Sequence, residues 1–181
     1  MGADRWAAAL REHDEVLADF VAAVERLDPD CWHRPMGPGR WSPAALTVHV
    51  IQSYELGRAA MAGGASMRVI VPRPVSWLAR NIALPIFLAR RTFPKGAEAP
   101  AEVRPDLGVA ASLSQSAACA MLHTVAQSSI DALRSADRDA DRDGPPRRFV
   151  HAIFGPLEPL MTVRLVSAHT RHHGLALADL L

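Results

Sequence analysis

The chain has 181 residues, 20 basic and 19 acidic side chains and a formal net charge of +1. That length suits one domain with a continuous core. The interspersed charge offers no basic face for a phosphate backbone, so nucleic acid is not expected as a partner. Charge appears within four residues of the amino terminus, so no secretory leader is expected. The most lipid-like stretch, Asn81 to Ala89, is broken by Pro85 and falls short of the roughly 20 residues of a membrane span. Neither secretion nor a membrane partner is expected. Cys31 and Cys119 stand far apart in sequence and read as reduced thiols, Cys119 at a buried helical position. The expectation is a soluble, cytoplasmic protein.

Proline breaks helices, and four long stretches are free of it. The first runs from Asp4 to about Leu27, with Trp6, Leu10, His13, Leu17, Phe20, Val24 and Leu27 recurring at steps of four and three, the spacing of a bundle-facing stripe. Ser42 and Pro43 have the chemistry of an N-cap and first helical residue for the second helix, and Gly63-Gly64 marks its stop. Residues 68–105 hold six of the fourteen prolines and a short helix around Ser76 to Arg91, and regular packing is not expected there. Asp106 caps a third helix running to about Ala136, with Leu113, Ala120, His123, Gln127 and Ile130 along one face. The fourth runs from about Leu157 to the carboxyl end. Strand-like runs such as Val69 to Val71 are short and bounded by proline, so the chain reads as all-α.

Asp139, Asp141, Asp143 and Gly144 match the opening of a calcium-binding EF-hand loop. Pro145 and Pro146 follow at once, and Val150 stands where the closing glutamate belongs. A solvated charged loop is the better reading.

The histidines carry the chemistry. His169 and His173 are one helical turn apart and can aim two imidazoles at one point. His49 offers a third, and a catalytic metal commonly keeps three protein ligands with one position open. The link of about forty residues between the second and third helices suits a crossover, giving an up-down-down-up bundle. In that topology His49, near the start of the second helix, lies level with His169 and His173 near the end of the fourth. His123 sits about eleven residues deeper, roughly 16 Å away, and is excluded. His172 is an alternative to His173, which is favoured. His13, His33 and His151 read as surface or hydrogen-bonded residues.

These residues resemble the DinB/YfiT-like metalloenzyme superfamily. Trp41-Ser42 followed by His49 is similar to the opening of that family's second helix, and His169-Thr170-Arg171-His172-His173 resembles its signature on the last helix. His151 to Leu157, HAIFGPL, resembles the aromatic-glycine turn before that helix, and the run FPKGAEAPAEVRP looks like the linker of the same branch. The resemblance implies a divalent metal ion, nickel or zinc, on His49, His169 and His173, and a homodimer. It also implies a small-molecule substrate and an ion that activates water or a low-molecular-weight thiol, as in a hydrolase or a thiol transferase or isomerase. Ala176 departs from the pattern, standing where many members have glutamine. No carboxylate stands out as general base, Glu55 being a remote candidate. The competing reading is a non-enzymatic ligand-binding or dimerisation protein with a structural or vestigial metal site. In it, Trp77, Leu84, Ile86, Phe87 and Phe93 of the proline-rich segment supply a dimer contact or a flap.

Overall fold

The computed structural model describes the backbone of residues 2–91, 93, 98–143 and 147–181. Four long helices dominate it: α1 (Gly2–Arg26), α2 (Pro43–Met61), and, after short α3 (Arg73–Leu78), α4 (Leu84–Arg90) and α5 (Leu107–Ser112), α6 (Gln115–Asp143) and α7 (Pro159–Ala178). The four pack as an up-down-down-up bundle. His13 of α1 lies by Thr170 of α7 through Tyr54, and Phe20 by Gly174, so residue numbers rise together and α1 and α7 run parallel. Trp32 reaches Leu113 near the head of α6 and caps the head of α2 at Ala44, while Gly57 lies against Ser129, so α2 and α6 are also parallel.

The caps follow the side-chain chemistry. Ser42 Oγ accepts from Ala45 N at 3.2 Å and Pro43 occupies the first turn, where no amide partner is needed. Gly63, at φ +82°, takes the left-handed conformation that ends α2. The α1 stripe is as expected: His13, Leu17, Phe20, Val24 and Leu27 are buried, with Trp6 and Leu10 half-buried against the core.

Two expectations are corrected. Asp106 caps only the short α5, its Oδ1 accepting from Gly108 N and Val109 N; the chain then extends at Leu113 before α6 begins. The Leu113 carbonyl is taken by Trp32 Nε1 at 2.6 Å, and Ser114 Oγ accepts from Ala117 N to open the new helix. The inward face of α6 is also rotated. Ala118, Leu122, Ala126, Ser129 and Leu133 are buried, whereas Ala120, His123 and Gln127 are exposed. Small residues on this face bring α6 close to α2, so that a Cβ added at Gly57 would stand in van der Waals contact with Ser129 Oγ at 3.6 Å. The fold is all-α apart from a small antiparallel hairpin, β1 (Phe149–His151) with β2 (Gly155–Leu157), that precedes α7 at Pro159.

The proline-rich crossover is more regular than its composition suggests. It is helical from Arg73 to Arg90, with a π-helical stretch at Ala79–Ala83 between α3 and α4. Pro85 has no N–H and its ring crowds the carbonyl four residues back, so the preceding turn widens. Buried Ser76, Leu84 and Leu88 fasten this helix to the bundle, and Arg91 ends it at φ +52°. Of the acidic run after Ser135, α6 stays helical through Asp143, and Asp139 accepts from Ser135 Oγ. The side chains of Asp141 and Asp143, and Gly144 to Pro146, lie outside the described residues, as do Pro94 to Ala97 of the linker. Among the described residues no helix is long and apolar enough to cross a membrane.

Candidate metal centre

Where the head of α2 meets the tail of α7, three imidazoles converge. His49 Nε2 is 3.1 Å from His169 Nε2, which is 3.1 Å from His173 Nε2, and one ring nitrogen from each of the three lies within 4.8 Å of the others. A tetrahedral ion with nitrogens at about 2.0–2.1 Å sets those nitrogens roughly 3.3 Å apart, so the spacing suits one small cation. The i, i+4 step on α7 supplies two of the rings, and the antiparallel packing of α2 against α7 brings up the third.

The protonation of the cluster suits a ligand role. His49 Nδ1–H donates to the Val103 carbonyl at 2.6 Å, which leaves Nε2 as a bare lone pair facing its neighbours. Burial holds His49 below the ordinary imidazole pKa, partly offset by the Val103 bond. Burial, then the neighbouring imidazoles, keeps His169 well below it and pushes His173 down to about 2. Three neutral nitrogens packed this closely repel one another's lone pairs and protons, and a cation at their centre relieves that conflict. The donor set is that of a borderline divalent ion.

Aromatic rings wall the cluster. The Trp41 ring lies 5.0 Å from that of His49, and Phe93 lies 6.3 Å from both His169 and His172. Phe93 in turn lies 6.0 Å from the tilted ring of Phe87 of α4, so the crossover helix borders one side of the cluster.

Of the other candidates, His172 rests its ring 5.1 Å from that of His173 and stays outside the cluster. His123 and His33 are exposed, and Glu55 is exposed on another face of α2. Among the described residues no carboxylate joins the three histidines. Cys119 is buried, and burial raises its thiol pKa, while Cys31 is half-buried. Ala176 is half-buried on α7.

Other contributors carry no signal in the sequence. The Val103 carbonyl is a backbone group, so no side chain could announce it. A polar chain, buried except at its Asp14 end, supports α7 beside His169. His13 Nδ1 faces the Asp14 carboxylate at 3.3 Å, His13 Nε2 meets Tyr54 Oη at 3.0 Å, and Tyr54 Oη meets Thr170 Oγ1 at 3.2 Å. A carboxylate only accepts, so Nδ1 donates to it, and Nε2 of the neutral ring accepts from the tyrosine, which accepts from Thr170. Burial raises the Tyr54 pKa and lowers that of His13, so both stay uncharged. His151 lies near enough to His169 to influence its charge; its Nδ1 accepts from Ile153 N and Phe154 N, and burial lowers its pKa to about 4.

The fold and the site together define an up-down-down-up helical bundle whose α2–α7 junction carries a three-histidine cluster compatible with a metal ion. The DinB superfamily profile matches residues 12–177, and the chain belongs to that superfamily. No curated protein and no solved structure matches it significantly.

Proposed function

We propose that residues 1–181 form one DinB-like domain that binds a single divalent ion, nickel or zinc, through the Nε2 atoms of His49, His169 and His173. The observation that carries this reading is the His49–Val103 bond, because it commits the ring to the tautomer whose lone pair points at the other two histidines. Three protein ligands leave a position open, and an ion so held lowers the pKa of a bound water or thiol toward neutrality. The protein is then a cytoplasmic metal-dependent enzyme acting on a small molecule, as a hydrolase or as a transferase or isomerase using a low-molecular-weight thiol.

The residues of this chain have defined tasks in that reading. His49, His169 and His173 hold the ion, Val103 orients His49, and Trp41 and Phe93 exclude water from the sides of the centre. With no carboxylate joining the cluster among the described residues, proton transfer in this reading falls to water or to the substrate's own groups. The test is elemental analysis of protein purified without chelator, followed by calorimetric titration of nickel and zinc into the stripped protein. About one ion per chain, lost in His49→Ala, supports the reading; equal metal content in both proteins removes it.

A further inference from the structure

The solvent face of the crossover helix is apolar, which is the reverse of an ordinary surface helix. Between Arg73 and Arg90 the inward positions are Ser76, Leu84 and Leu88, and the outward ones include Val75, Trp77, Leu78, Ile82 and Ile86. Trp77 is 58% exposed, and Leu78 and Ile82 are each 51% exposed. Ile70, 70% exposed, stands just before the helix. Contiguous apolar surface of this kind marks an interaction site, whereas scattered exposed residues do not.

The charges around it select the occupant. From Leu56 to Ala97 the sequence contains Arg58, Arg68, Arg73, Arg80, Arg90, Arg91 and Lys95 and not one acidic residue. Arg73 and Arg90 are exposed at the two ends of the helix, and Arg80 lies on its flank with Nη1 donating to the Pro156 carbonyl. Arg91 is answered by Glu12 of α1 at 3.3 Å. A two-fold pairing of this face with a second copy would set arginine ends against arginine ends, with no carboxylate from residues 56–97 to answer them. An anionic lipid surface answers both features at once: headgroups meet the arginines, and the apolar face with its tryptophan sinks about 5–10 Å to the acyl boundary.

We propose that the Arg73–Arg90 helix is an interfacial anchor that seats the protein on anionic membrane surfaces, lying in the plane of the headgroups without crossing the bilayer. Its inner face bears Phe87, which packs near Phe93 and so beside His169; docking therefore brings the wall of the candidate metal centre to the lipid boundary. The anchor does not depend on the metal reading, because none of its residues belongs to the histidine cluster.

The test is sedimentation of the full chain with vesicles of phosphatidylglycerol and phosphatidylcholine, with tryptophan emission followed in the same samples. The expected result is binding accompanied by a blue shift that is lost in Trp77→Ser. Binding should weaken at least tenfold with phosphatidylcholine alone and at least tenfold in Ile82→Glu/Ile86→Glu. Both positions of that double variant are exposed, so the fold is retained, which circular dichroism checks. Chelator should leave binding unchanged, so failure of the metal site and failure of the anchor are told apart. The proposal is overturned if anionic vesicles do not bind the chain, or if the double variant binds as well as the parent. It is equally overturned if ultracentrifugation finds a stable dimer that buries Trp77, ignores vesicles and is split by the double variant, since a second copy is then the occupant.

Discussion

The Nδ1–H of His49 donates to the carbonyl of Val103 at 2.6 Å, joining the head of α2 to the crossover segment 54 residues further along the chain. This bond ties the tautomer of a metal-ligand candidate to the position of a loop. Replacing His49 removes both at once, whereas replacing His169 leaves the loop contact in place.

His169→Ala is therefore the cleaner test of the ion. Two remaining imidazoles hold a divalent ion poorly, so metal content should fall from about one ion per chain to near zero. Thermal unfolding of the metal-free variant should lie close to that of the metal-free parent. Retention of the ion in His169→Ala, by elemental analysis, would remove the three-histidine site.

Acid should destabilise the protein, and metal should steepen the effect. His13, His49, His151, His169 and His173 all have folded pKa values below the ordinary 6.5, the burial of each ring being the main cause. The folded state then binds fewer protons than the unfolded state, so stability is fully present above about pH 6.5 and is lost as pH falls below it, with a limiting slope of about 1.4 kcal/mol per pH unit for each whole proton by which the two states differ. For His151 the loss continues down to about pH 4. A bound ion adds stability only while its ligands are neutral. Melting curves with and without chelator should separate at pH 7.5 and converge near pH 5; coincidence at pH 7.5 would leave no stabilising ion.

Tyr54→Phe removes the hydroxyl that joins His13 to Thr170 in a fully buried setting. His13 Nε2 and the Thr170 hydroxyl are then left without this partner, and the cost should be about 1–3 kcal/mol. Urea denaturation at pH 7.5 measures it. A loss well under 1 kcal/mol would mean that water or a neighbouring group replaces the tyrosine.

Gly155→Ala should be destabilising by about 1–2 kcal/mol or more. The residue sits at φ +68°, and an added Cβ would meet Ser76 Oγ at 2.7 Å. Combining it with Ser76→Ala should recover the collision but not the backbone strain. Full recovery in the double variant, measured by denaturation, would show that the left-handed conformation costs nothing there.

Local chemistry made much of this molecule legible in the sequence. Proline spacing, the Ser42-Pro43 cap and the stripe on α1 reflect contacts within one or two helical turns, and the His169–His173 pair follows from helical pitch alone. The placement of His49 beside that pair also followed, because the long crossover leaves few ways to order four helices. Tertiary structure decided what depends on groups distant in the chain. Trp32 takes the Leu113 carbonyl and splits the predicted third helix, close packing at Gly57 and Ser129 chooses the face of α6, and Pro85 widens a turn within a helix that still holds. The Val103 carbonyl that orients His49 is a backbone group, identical in every residue type, and only the folded chain could select it.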